Sequence, residues 1–229
     1  MDATGALSLI LSGDPTLYAV LRLSLIVTLS ATVLAGLIGL PLGAFVALTR
    51  FPGRNAAIVA LNGLTGLPPV VVGLLVYLAL SRTGPLGFLG LLFTPNAMII
   101  AQAILIAPII AALTRQAVED LWAEYRDEFM AMDVSPAARV RALLWDARFS
   151  LVTVLLAGFG RAAAEVGAVM IVGGNIDGHT RVMTTAIALE TSKGNLPLAL
   201  GLGIVLIAVI LAVNVLAWTI RHWAERHAG

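Results

Sequence analysis

Asp127-Glu-Phe-Met-Ala-Met-Asp-Val-Ser-Pro136 lies inside a polar island, residues 114–148, enclosed on both sides by membrane-grade apolar runs. A chain this apolar has little reason to keep about 35 helical, charged residues on one side of a bilayer unless something docks there. The island reads as two helices around a tight corner. Residues 117–132 carry helix formers and acids, Asp133 and Val134 turn, and Ser135 is a good N-cap. Pro136 takes the first helical position, where its fixed φ and missing N–H cost nothing. The second helix, 136 to about 148, sets Ala138, Ala142, Leu143 and Trp145 among Arg139, Arg141 and Arg148.

The composition puts the rest of the chain in a membrane. Of 229 residues, 59% are hydrophobic and 12% charged, and the mean hydropathy is +0.98, against about one quarter charged in soluble domains. Lipid is therefore an expected partner. Fourteen basic and 13 acidic residues leave a net charge of +1, which excludes nucleic-acid binding through a basic patch. Three scattered His and no Cys exclude thiol or zinc chemistry. Residues 1–14 have no basic n-region and no small-residue cleavage site, so no removable signal peptide is expected.

Five stretches are long and apolar enough to cross a hydrocarbon core, which takes about 20 helical residues: 23–48, 56–80, 97–113, 149–172 and 196–220, the third being the shortest. The apolar run 85–93 is too short and is interrupted by Gly87 and Gly90, so it reads as interfacial loop. Orientation follows the basic residues, which are retained on the cytoplasmic side. Arg50, Arg54, Arg115, Arg126, Arg139, Arg141, Arg148, Arg221 and Arg226 fall on one side. Arg82, Arg181 and Lys193 fall on the other, with Arg22 at the membrane edge. The N-terminus is then outside and the C-terminus inside. The outer connections are 81–96 and 173–195, the latter with a short amphipathic helix expected over 182–190. There is no internal repeat and no second domain, so residues 1–229 read as a single transmembrane domain. Five helices line a conduit thinly, which predicts a second copy or a homologous partner.

Several residues stand out from the apolar background. Arg161 and Glu165 are ionisable groups within the fourth span, where each costs at least about 2.5–3.5 kcal/mol unless paired or wet. Their i,i+4 spacing puts them on one helical face. They read either as a polar patch at a dimer seam or pathway, or as a structural ion pair. Pro41, Pro68, Pro69 and Pro108 predict kinks. Gly63, Gly66 and Gly73 permit close helix approach, and Asn214 is expected to hydrogen-bond between helices. Gly173-x4-Gly178-His179-Thr180 mimics a phosphate loop, but His stands where Lys is required. The chain is not expected to bind ATP itself. The exposed amides of that turn are candidates for meeting a substrate or a delivering protein, beside the plainer reading of a bare loop.

Asp127 to Pro136, followed by Leu143-Leu-Trp-Asp146, resembles the coupling loop of ABC-importer permeases, whose pattern is E-A-A-x3-G-x9-I-x-L-P. Asp127 stands for its Glu, Glu128 and Phe129 for its two Ala, Asp133 for its Gly, Leu143 for Ile, and Trp145-Asp146 for Leu-Pro. Asp is among the few residues that tolerate the left-handed backbone such a Gly permits. Leu156-Ala-Gly-Phe-Gly-Arg-Ala-Ala-Ala-Glu-Val-Gly-Ala168 resembles the molybdate, sulfate and tungstate permeases, as does Leu67-Pro-Pro-Val-Val-Val-Gly73. Gly173-Gly-Asn-Ile-Asp-Gly178 with Thr184-Thr-Ala-Ile-Ala-Leu-Glu-Thr-Ser-Lys-Gly194 looks most like the tungstate branch.

The resemblance implies an all-α, type I importer permease without catalysis or cofactor of its own, working as a homodimer. ATP and Mg are used by two partner ATPase subunits docked at Asp127, Glu128, Asp133, Val134, Ser135 and Pro136. An extracytoplasmic binding protein would meet Gly173, Gly174, Asn175, Asp177 and Lys193. Pro68, Pro69, Arg161 and Glu165 would line the pathway or the dimer seam. Tungstate is the expected cargo, ahead of molybdate, sulfate or another small solute. A self-sufficient secondary transporter or channel is the competing class, which visible inverted repeats would favour.

Overall fold

The computed structural model describes residues 15–227, with the side chains of 15, 16, 221, 224, 225 and 227 left aside. The stretch 1–14, read as lacking a signal peptide, lies outside the described residues. The described chain is helical throughout: α1 (Pro15–Leu48), α2 (Arg54–Leu64), α3 (Pro69–Leu80), a 3-10 turn (Gly87–Leu89), α4 (Pro95–Ala131), α5 (Pro136–Asp146), α6 (Arg148–Ala163), α7 (Gly167–Gly173), α8 (Met183–Ser192) and α9 (Leu196–His227). Three stretches are individually long and apolar enough to span a bilayer: Leu17–Leu48, Pro95–Ala131 and Leu196–Ile220. The number reaches five if each bent pair, α2 with α3 at 100° and α5 with α6 at 65°, is counted as one span.

The segment expected to be the shortest span belongs to the longest helix. α4 runs for 37 residues, about 55 Å at 1.5 Å per residue, so it exceeds a hydrocarbon core of roughly 30 Å and carries straight into the polar island. It is also the core of the molecule. Met98, Ala101, Ile106, Ile110, Ala111 and Val118 are all essentially inaccessible, and α1, α2, α3, α6 and α7 all pack on it. Pro108 and Pro41 sit inside uninterrupted helices. By contrast, Pro68 caps α3 and Pro69 opens it, where the chain turns sharply. The expected fourth span is likewise broken, at residues 164–166, between α6 and α7.

Close packing of α1 on α4 rests on glycines that the periodicity of the sequence did not single out. A Cβ on Gly39 would stand 2.9 Å from the Ala107 carbonyl oxygen, and one on Gly43 would stand 2.4 Å from that of Ala111. Gly73 works similarly, 2.8 Å from the Ala168 Cα on α7. Gly63 has open space around it and Gly66 meets only its own turn, so these two do not serve close approach. Asn214 bonds the Ile210 carbonyl of its own helix at 2.9 Å instead of a neighbour. The helix over Met183–Ser192 forms, but it is not amphipathic at a surface: Met183 and Thr185 are fully buried, and the helix packs on α9.

Since backbone oxygens cannot step aside, Gly43→Ala should lower stability by roughly 1–3 kcal/mol through overpacking, while Gly63→Ala should change little. Thermal unfolding of the purified protein in detergent compares the two, and equal behaviour would refute the packing assigned to Gly43.

Candidate functional site: the polar corner and the α6–α7 break

The corner between α4 and α5 is a Schellman motif. Val134 N–H donates to the Phe129 carbonyl at 3.2 Å and Asp133 N–H to that of Met130 at 3.4 Å. Asp133 takes the left-handed conformation with φ 48, where the related pattern has Gly. The Ser135 hydroxyl accepts from Ala138 N–H at 3.4 Å and Pro136 opens α5. Arg139 fastens the turn, its Nε donating to the Val134 carbonyl at 2.6 Å and its guanidinium lying 6.0 Å from the Trp122 ring. The Asp146 carboxylate beside Tyr125 holds the phenol's pKa above its ordinary value.

Asp127, Glu128, Asp133, Ser135 and Pro136 are exposed and Val134 is half-buried, so the six residues form one accessible tip. Leu143, at the Ile position of the pattern, is fully buried. Sequence reasoning missed the apolar part of this tip. Met130, Met132 and Trp145 are each more than half exposed and flank the acids. Apolar residues in an otherwise charged island were the available signal.

Behind the corner, Glu119 joins two arginines. Arg115 reaches it from one turn away on α4, and Arg54 reaches it from the start of α2. Arg54 also donates through Nε to the Val46 carbonyl at 2.9 Å, so it closes the C-terminal end of α1. Arg54 and Arg115 count in the sequence only as retained basic residues. The acid that joins them is recognisable only once α2 is folded onto α4.

The second cluster surrounds the break after α6. Arg161 and Glu165 do pair, at 2.9 Å, although they do not share a helix: α6 ends at Ala163 and Glu165 stands in the gap. Glu165 is nearly inaccessible, whereas Arg161 remains about one third exposed. The carboxylate accepts from Ala168 N–H at 3.0 Å, capping α7, and the Glu165 carbonyl accepts from the Thr184 hydroxyl at 2.7 Å. Gln102 donates from α4 to the Ala162 carbonyl at 3.1 Å, leaving its own Oε1 without a partner. A lone Gln in the apolar run 97–113 was the signal for it. Pro68 and Pro69 sit nearby in chain packing, since a Cβ on Gly167 would touch Val70 at 3.0 Å.

The turn after α7 is more closed than its sequence suggests. Gly173 is buried against Met98 and does not face solvent. The amides of Gly174, Ile176, His179, Thr180 and Arg181 are all bonded within the segment, so these five are not open donors. Thr180, fully buried, donates to the Gly173 carbonyl and accepts from Ile176 N–H. Asn175 is half-buried with φ 50, and Gly174 and Asp177 are exposed. Lys193 pairs with Glu190 at 2.8 Å, and its ammonium holds that carboxyl below the usual carboxylate value. No group of metal-binding residues occurs among the described residues.

Apolar helices, two of them broken, with a charged helical corner projecting from the longest, define a multi-pass membrane protein. No family model matches the chain. Three curated relatives align along it. The tungstate uptake system permease TupB of Peptoclostridium acidaminophilum is 39% identical over 94% of this chain and 95% of its own length. A probable anion ABC transporter permease of Haloferax volcanii is 40% identical over 90% of each chain. TupB of Campylobacter jejuni is 42% identical over 64% of this chain and 62% of its own. Weaker similarity, 24–29% identity, extends to molybdenum and sulfate transport permeases. The chain belongs to the anion ABC-transporter permeases that include the tungstate uptake permeases.

The geometry separates the two roles of Glu165. Arg161→Leu leaves a buried carboxylate unpaired and should destabilise by roughly 3–5 kcal/mol. Adding Glu165→Gln keeps an acceptor for Ala168 N–H and removes the charge, so the double variant should recover most of the loss. The charge swap, Arg161→Glu with Glu165→Arg, should not recover, because arginine cannot accept that bond. Unfolding in detergent reports all three, and full rescue by the swap would disprove the capping role.

Proposed function

We propose that the chain is the membrane subunit of a tungstate importer, taking the anion from an extracytoplasmic binding protein and driven by ATP that separate subunits hydrolyse with Mg. The observation that carries this reading is similarity to a tungstate uptake permease along nearly the whole chain. The rigid, exposed tip at Asp133–Pro136 supports the ATPase side of it. A docking element must transmit force, and here the tip continues the buried spine of the bundle.

Two copies, each with five spans in a type I importer arrangement, enclose the pathway in this reading. In this reading α2 with α3 forms one broken span of the prokaryotic inner membrane and α6 with α7 another, while α5 stays in the polar corner outside the bilayer. Each corner seats in one ATPase, with Met130, Met132 and Trp145 adding apolar contact to the acids. Closure of the ATPases moves the paired corners and exchanges outward- and inward-facing states. The chain itself performs no covalent chemistry. Gly174, Asn175, Asp177 and Lys193 lie toward the binding protein, and the break at Glu165 and the turn at Pro68-Pro69 lie beside the route.

Cells lacking the chain should lose tungsten uptake and keep sulfur uptake, with wild-type restoring it. A variant whose Asp133-Val134-Ser135 is replaced by a bulky charged triplet should insert without restoring it. Undiminished tungsten accumulation in the deleted strain would refute the assignment. Orientation has its own check, since the chain has no Cys. A single Lys193→Cys should react with an impermeant thiol reagent added outside, and Ser135→Cys should react only after permeabilisation; the reverse pattern would invert the topology.

A further inference from the structure

We infer that the open cleft between the early part of α1 and the turn leading into α8 is a binding station for a tetrahedral oxyanion. The inference rests on the reading of the chain as an oxyanion importer, and it assigns to the permease an anion site of its own. The cleft encloses about 570 Å³, the volume of on the order of twenty waters, so an anion enters with much of its hydration. One wall is a face of α1 presenting Arg22, Leu23 and Ile26. The other is the turn carrying Asp177, His179 and Arg181.

The charges are unbalanced toward the anion. Arg22, Arg181 and the His179 imidazole line the space, and Asp177 is its one acidic lining residue. Asp177 is committed to Arg181 through Nη1 at 2.8 Å, and Arg181 Nε is buried without a partner. Arg22 has no hydrogen-bond or ion-pair partner among the described residues. The Arg181–Asp177 pair explains itself as a brace of the turn. Arg22 has no such explanation among the described residues: it is exposed, it is the one charged residue of α1, and it lines the same cleft as Arg181.

Two guanidiniums on separate elements line the one cleft, Arg22 without a partner among the described residues, and such an arrangement suits an oxyanion with acceptors on every side. Low-dielectric walls of Leu23 and Ile26 strengthen the field that concentrates the anion there. The openness keeps binding loose, as an entrance requires if the anion is to move on.

The test uses two independent readouts on the intact transporter. In cells at limiting tungstate, Arg22→Gln should lower uptake several-fold without lowering the amount of inserted protein, because Arg22 has no hydrogen-bond or ion-pair partner among the described residues. Separately, Ile26→Cys in the purified protein should label more slowly with an impermeant thiol reagent when tungstate is added, and Arg22→Gln should remove that protection. Wild-type uptake of tungstate with normal transport by Arg22→Gln, or no protection by tungstate, would overturn the station and leave the importer reading standing. Absence of any chain-dependent tungstate uptake would refute the importer reading, and protection at position 26 would then still report on the cleft.

Discussion

An apolar surround gives a broken helix nothing with which to satisfy its freed peptide groups, and in this chain one carboxylate supplies most of what the gap after α6 needs. Glu165 caps α7 through Ala168 N–H, neutralises itself on Arg161, and offers its carbonyl to Thr184 at the start of α8. Gln102 attends to the Ala162 carbonyl from the opposite side. Four helices thereby meet at one gap, and the order of α6, α7 and α8 around α4 depends on it. The acceptor acts apart from the ion pair. Arg161 retains access to solvent, whereas an orphaned Ala168 N–H would have none, at a cost of about 1–3 kcal/mol.

The second organising element is the length of α4. A helix that is fully buried at Met98 and Ile110 and then projects to Ala131 makes the corner a rigid extension of the core. Glu119 strengthens that continuity by drawing in Arg54, which also holds the carbonyl end of α1. A push on Asp133–Pro136 therefore reaches α1 and α2 through charged contacts and reaches α3, α6 and α7 through packing on α4. That is the mechanical property expected of an element receiving force from a soluble motor.

Much of this was legible in the sequence, and the divisions have physical causes. The corner was readable because its signals are local: Ser-Pro at a helix start, and Asp where a left-handed residue is needed. The membrane setting was readable from hydropathy. Helix breaks were half readable. Pro68-Pro69 announced one, while the gap at 164–166 falls in Ala-Ala-Glu-Val, which has no local breaker and is held open by partners from other helices. Proximity to a proline did not tell packing glycines from others, since Gly39 and Gly43 flank Pro41 much as Gly63 and Gly66 adjoin Pro68-Pro69. Gly63 and Gly66 adjoin the bend and touch nothing outside it, whereas Gly39 and Gly43 matter because α4 happens to cross there. Asn214 failed similarly, since an amide in a helix can satisfy itself on the preceding turn.

The distribution of polar groups bears on where an anion is discriminated. Tight choice between similar tetrahedral dianions needs a closed shell of placed donors. Around the α6–α7 break the buried groups are mainly acceptors, with Gln102 Oε1 unpartnered and the Glu165 carboxylate already engaged. Such a lining opposes a dianion more than it selects one. The cleft lined by Arg22 and Arg181 is wide, so water competes there for every bond the exposed Arg22 guanidinium offers. In the proposed reading, a chain built this way would attract oxyanions by charge and pass them by avoiding tight contact. In that reading, fine selectivity would fall to a site that can close around the anion, as in a protein that delivers the cargo.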